Sequence, residues 1–219
     1  MKKGLIKMSK ISEHLPKLML VIYLAVFAFF AYKPVKMSLW ITENAIALAT
    51  VITLIIFYIR KVRFSNLSYF LLLVALVWQT IGGHYCFGDV PFDYVTKLFG
   101  FSRNNYDRFG HFMVGFFAFP VMEYFESRGV IRSRGINGLL VVLSIFGVAA
   151  IYEVVEWIYF DIMTAANAND VGEGFLGSQG DVWDAQKDIL CDGLGAVFTA
   201  ILYRIRYYGK DVSKILNYK

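Results

Sequence analysis

Residues 177–196 read GSQGDVWDAQKDILCDGLGA, and the spacing of their acids decides how the rest of the chain is read. Asp181, Asp184, Asp188 and Asp192 follow one another at intervals of three, four and four residues. At ~3.6 residues per turn these intervals place all four on one helical stripe, which Gly195 continues. Two accounts fit the first pair: an Asp at a helix start accepts from free N–H groups, and another in the first turn answers the positive end of the helix dipole. Asp188 and Asp192 lie one and two turns deeper, the first at the edge of the apolar run Ile189 to Ile205 and the second inside it. At that depth an acid either closes a hydrogen bond or ion pair with a neighbouring helix, or belongs to a functional site.

The composition puts that helix in a bilayer. Of 219 residues 58% are hydrophobic and only 18% are charged, and the mean hydropathy is +0.53. These values lie outside the range of ordinary soluble domains. Apolar stretches of roughly spanning length are centred on Leu15 to Tyr32, Leu39 to Ile59, Leu67 to Ile81, Phe109 to Phe125, Gly138 to Phe160 and Ile189 to Ile205. They predict an all-α fold, a polytopic membrane bundle of about six transmembrane helices, with residues 1–219 forming one integral membrane domain.

The net charge of +5 does not indicate a nucleic-acid partner, because the basic residues follow membrane topology instead. With a cytoplasmic N-terminus, 16 of the 22 Lys and Arg fall in the termini or in alternate connections. That asymmetry predicts two cytoplasmic termini, with the connections containing Cys86 and Gly174 outside. The first apolar stretch follows a basic leader but runs into Tyr32-Lys33-Pro34 without a small-x-small cleavage site, so it reads as a retained helix. Cys86 and Cys191 have neither CxxC spacing nor a shared depth, which argues against a disulfide.

Further polar residues fall at the same outer depth. Asp107 and His111 stand one turn apart where RNNYDRFGHF enters the fourth helix. That spacing suits a metal-ligand pair and suits equally a carboxylate that orients an imidazole. Glu153 and Glu156 occupy adjacent turns in the outer half of the fifth helix. Together with Asp184, Asp188 and Asp192 these groups are expected to meet in one pocket. So many acids do not stay ionised in a low dielectric without neutralisation, so some are protonated, or Arg103, Arg108 and Lys187 reach in, or a metal cation is bound. Acids with a single histidine favour a divalent ion such as Mg²⁺, Mn²⁺ or Zn²⁺.

Other polar residues have simpler readings. Glu43 sits one turn into the second helix, as an interfacial acid does, and Glu123 and Glu126 lie beside Arg128 as a surface ion pair would. His84 is a peripheral candidate. Pro91 reads as the first turn of a short interfacial helix reaching Phe99, and Pro120 as a kink in the fourth span. The stretch from Asp161 to Gly180 reads as a glycine-rich solvent loop, long enough to cover a site. No HExxH, Walker A, GxSxG or paired CxxC motif is present, so the residues force no named mechanism.

The segments RNNYDRFGHFMVGF at 103–116, YEVVEW at 152–157 and DVWDAQKDILCDGLGA at 181–196 resemble the YjdF-like family of bacterial inner-membrane proteins. An Asp followed four residues later by His-Phe, a mid-helix Glu and a final Asp-Gly-Leu-Gly-Ala also resembles, more distantly, the VanZ-like membrane proteins. Those chains usually carry Asn at the position of Asp192 and are shorter. The resemblance implies a polytopic fold and a cell-envelope setting in the bacterial inner membrane, and it implies no known reaction.

The residues therefore set the expectation. Asp188, Asp192 and His111 are expected as primary ligands or proton-transfer groups, Glu153 and Glu156 as completing the site, Asp107 as orienting His111, and Asp184 as standing at the mouth. Such a site binds a divalent cation or performs acid–base work on a lipid-linked or envelope substrate. The rivals are a proton- or cation-coupled transporter and a structural or assembly protein with an internally bonded polar core.

Overall fold

The computed structural model describes residues 10–216, and every regular element in that range is helical. Helix α1 spans Lys10–Phe30, α2 Met37–Ile59 and α3 Asn66–Tyr85. A short α4, Asp93–Phe99, precedes α5, Tyr106–Val114, which passes through a 3₁₀ turn at Gly115–Phe117 into α6, Ala118–Ser127. Next come α7, Arg134–Ala165, α8, Asn169–Leu176, α9, Asp184–Arg206, and α10, Val212–Leu216. Ser65 and Ser133 open α3 and α7 by accepting from the N–H groups of Ser68 and Ile136, which satisfies one of the free donors at each helix start.

Three of these helices, α2, α3 and α7, are long and apolar enough to cross a membrane, and α1 contributes a shorter apolar stretch, His14–Phe30. The fourth and sixth expected spans form as α5–α6, which the 3₁₀ turn divides into two helices each too short to qualify by length, and α9, which is long enough but too polar to qualify by composition. Helix α9 shows why. Its Asp184, Asp188 and Asp192 are buried, while Leu190, Leu194, Phe198 and Ile201 of the opposite face are about half exposed. Polar-in and apolar-out is the reverse of a water-soluble helix, and it is the arrangement that lipid selects.

Helices α1 and α2 both pack on α3, and α9 packs on α5 and α7, with α3 joining the two groups through α5. Where the end of α5 and the 3₁₀ turn come nearest to α9 the contact is made by backbone. A Cβ on Gly115 would stand 2.1 Å from the carbonyl carbon of Gly195, and one on Gly195 would stand 1.9 Å from the Phe112 oxygen. Only glycine permits that approach. The irregularity of the fourth span falls at this crossing and not at Pro120, which occupies the first turn of α6 where its missing N–H costs nothing.

Two further expectations are corrected. The predicted solvent loop is mostly helical, because α7 continues to Ala165 and α8 folds back against α7 and α2, with Gly172 beside Phe160 and Gly174 beside Leu39. Glu123 is not in a surface ion pair: it is fully buried and accepts from the Ser65 N–H at 3.0 Å, the Ser68 hydroxyl at 2.7 Å and the Tyr207 hydroxyl at 2.6 Å. Its neighbour Glu126 pairs with Arg134 and accepts from the Tyr203 hydroxyl. The buried Glu123 thus ties the ends of α3, α6 and α9 together, far from the aspartates of α9.

Candidate functional site

The acidic stripe of α9 faces one side of α5, and the first contacts between them are made by arginines. Arg103, in the coil before α5, donates to the Ser178 carbonyl at 2.6 Å, to Asp184 Oδ1 at 2.7 Å and to Asp107. Arg108, on α5, donates to Asp181 Oδ2 at 3.1 Å and to Asp184, and its Nε lies 3.0 Å from Asp188 Oδ1. That last contact is an ion contact without an aligned hydrogen bond. Asp181 also accepts from Lys187 at 2.6 Å and from the Trp183 N–H at 3.1 Å. Those bonds, the Lys187 one foremost, hold its carboxyl below the usual range. Of the three routes to neutralisation, the arginines therefore take the outer rung.

One turn deeper the pattern changes. His111 Nδ1 lies 3.0 Å from Asp192 Oδ2, which leaves Nε2 on the other side of the ring, 3.9 Å from Asp188 Oδ1. Glu153 reaches the same place from α7. One ligand atom each from His111, Glu153 and Asp188 fall within 4.8 Å of one another. Asp192 is 1% exposed, Asp188 3% and Glu153 9%. Glu153 Oε1 and Asp192 Oδ1 are buried without a hydrogen-bond partner among the described residues. An orphaned carboxylate oxygen is costly in a low dielectric and calls for a proton or a cation.

These residues fit a divalent ion on their chemistry. One imidazole and two carboxylates form a borderline-to-hard donor set. The Asp192 carboxylate on Nδ1 is the kind of outer partner that fixes a ligating histidine's tautomer and ring orientation. Asp107, Asp184 and Asp188 also bring three oxygens within 4.8 Å, but Arg103 and Arg108 already bind these acids.

The expected roles redistribute accordingly. Asp107 does not orient His111: it accepts from Arg103 and from the Arg108 N–H at 2.7 Å, and Asp192 occupies the orienting position. Glu156 lies outside the His111 cluster, across a cavity of about 360 Å³ that it lines together with His111, Asp184, Asp188 and Asp192. His84 is elsewhere, its Nδ1 2.7 Å from the Phe30 carbonyl.

Glu43 also lines this cavity, only 5% exposed, and accepts from Gln79 Nε2 at 3.1 Å. The interfacial reading of Glu43 missed this. The usable signal was Gln79, a second polar side chain in the outer half of the adjacent helix. A separate, mostly apolar groove of about 240 Å³ among α1, α2 and α3 is lined by Lys17 and three tyrosines, and among the described residues by no carboxylate, histidine or cysteine.

Comparison with known proteins follows the same lines. Residues 15–208 match the family described as predicted membrane protein (DUF2238). The inner membrane protein YjdF of Escherichia coli (strain K12) is 31% identical over 166 residues, covering 75% of this chain and 77% of its own. Neither match is to a VanZ-like protein. No solved structure matches the chain.

Proposed function

Because this chain belongs to the DUF2238 family of predicted membrane proteins, we propose that its acid and histidine cluster is an intramembrane divalent-cation site. His111, Glu153 and Asp188 would be the ligands, and Asp192 the group that holds His111 in register. The observation that carries the reading is the orphaned Glu153 oxygen beside His111 and Asp188. A bound ion would supply Lewis acidity to a ligand in the adjoining cavity. The chain's own residues exclude water from below, hold the imidazole by Nδ1 and keep Nε2 toward the cluster. The distribution of Lys and Arg supports a cytoplasmic location for both termini, and so an opening toward the outer face of the bacterial inner membrane. A lipid-linked or envelope substrate fits that setting.

The arginine contacts support a different role for Asp107 and Asp184. These acids hold the Arg103 coil and the start of α9 together at the mouth, as an internally bonded polar network does.

Metal analysis of detergent-purified protein tests the reading. After equilibration with Zn²⁺, Mn²⁺ or Mg²⁺ and removal of excess, a stoichiometric ion is expected in the parent and not in His111→Ala or Glu153→Gln. Absence of a stoichiometric ion from the folded parent would overturn it.

A further inference from the structure

The cavity beside the cluster has two chemically different ends. Along α7 its wall runs from Glu156 to Ile145, ~16 Å at ~1.5 Å per residue. Glu43, Glu156 and Asp184 line one end, and Leu76, Val114, Phe117, Ile145 and Ala149 line the other. Its volume of about 360 Å³ is within the span of small-molecule sites, about 300 to 1,000 Å³.

Among the described residues no lysine or arginine lines the cavity. Arg103 and Arg108 are engaged by aspartates, and Gln79 spends its amide on Glu43. Glu156 is 8% exposed, and among the described residues no side chain or backbone group donates to it. A buried carboxylate facing a cavity without a donor favours a cationic ligand group and disfavours an anionic one.

We propose that this cavity binds an amphiphile whose head is a protonated amine, with Glu43 and Glu156 holding the head and the apolar end holding the hydrocarbon chain. The proposal rests on the reading of this cavity as a ligand site, and it does not require the cation at His111. The ammonium donates to Glu156, which lacks a partner, and to Glu43, whose one bond to Gln79 leaves acceptor capacity free. The chain lies toward Phe117 and Ile145, where the lining is mostly apolar and Thr50 is the polar side chain at comparable depth on α2.

Native mass spectrometry of the full chain in a neutral detergent reads this directly, using dodecylammonium, dodecanol and dodecanoate as probes at equal concentration. Dodecylammonium should be retained roughly tenfold better than either competitor, and Glu156→Gln should lower its retention by a similar factor. Ala149→Phe, which fills the apolar end and leaves the acids in place, should lower it as well. Equal or better retention of dodecanoate would overturn the proposal, as would dodecylammonium retention unchanged in both variants. Loss in Glu156→Gln with no effect of Ala149→Phe would overturn the amphiphile and leave a site for small amines. Repeating the measurement after chelation separates the two readings: retention that survives chelation in a protein without a stoichiometric metal sinks the cation site alone.

Discussion

His111 on α5 and Asp192 on α9 meet through Nδ1 and Oδ2 at 3.0 Å. They are 81 residues apart in sequence. The contact fixes which ring nitrogen is committed to the protein and which is left to face Asp188 and Glu153. In the proposed site the order of roles follows from it: one acid would orient and two acids and an imidazole would bind, while the outer acids are paired with arginine.

Asp192→Asn keeps the shape of that contact and removes its charge. Metal affinity should fall by about 10- to 100-fold, the usual effect of losing a histidine's outer carboxylate, while thermal unfolding stays near that of the parent. Titration of the variant with Zn²⁺ checks this, and an unchanged affinity would remove Asp192 from the orienting role.

Arg108 contacts three aspartates of the α9 segment. Arg108→Ala leaves Asp184 to Arg103 alone and strands Asp188 without an arginine, and breaking a buried ion pair from one side costs about 3–5 kcal/mol. Lys214→Ala, at a side chain 83% exposed beside Asp211, should cost about 0–1 kcal/mol. Unfolding of both variants in the same detergent should show that order, and equal losses would mean that the arginine network does not hold the mouth together.

Glu123 distinguishes the sequence reading from the observed packing. A surface pair predicts a loss of about 0–1 kcal/mol for Glu123→Ala. A carboxylate that satisfies the Ser65 N–H, Ser68 and Tyr207 predicts more, since each buried donor left unpaired costs about 1–3 kcal/mol. Denaturation should give the larger value, and the proposed metal content should be unaffected.

Sidedness can be read from Gly129 and Gly180, both at positive φ with open space around the Cα, in connections at opposite ends of the bundle. Reporters inserted at the two positions should report opposite compartments, with Gly129 cytoplasmic. The same compartment for both would contradict the six-span topology.

The fold was legible in the chain because lipid imposes a coarse rule, long apolar runs separated by basic turns, and six such runs became helices. The convergence of Asp188, Asp192 and His111 on one place was legible too, since three- and four-residue spacing fixes a helical face. What spacing cannot carry is the rotation of one helix against another. The spacing pointed to Asp107 as the group orienting His111 and to Asp192 as a ligand, and only the packing of α5 on α9 gave the imidazole to Asp192 and left Asp107 to Arg103. Glu43 and Glu123 were misjudged for a related reason. Depth near a helix end resembles exposure until a neighbouring helix covers it, as α3 covers Glu43 and the start of α3 and the end of α9 cover Glu123.

The bare crossing at Gly115 and Gly195 carries a mechanical consequence. Gly195 stands midway along α9, with eleven residues to either end of the helix, and touches its neighbour through backbone with no side chains meshed between them. Such a contact fixes the distance between the two helices, and the orientation of α9 is left to side-chain contacts on either side of it, Arg108 and His111 with the aspartates and Phe112 with Phe198. Any tilt of α9 about it would move Asp184 and Arg206, the two ends of the helix, in opposite directions by comparable amounts.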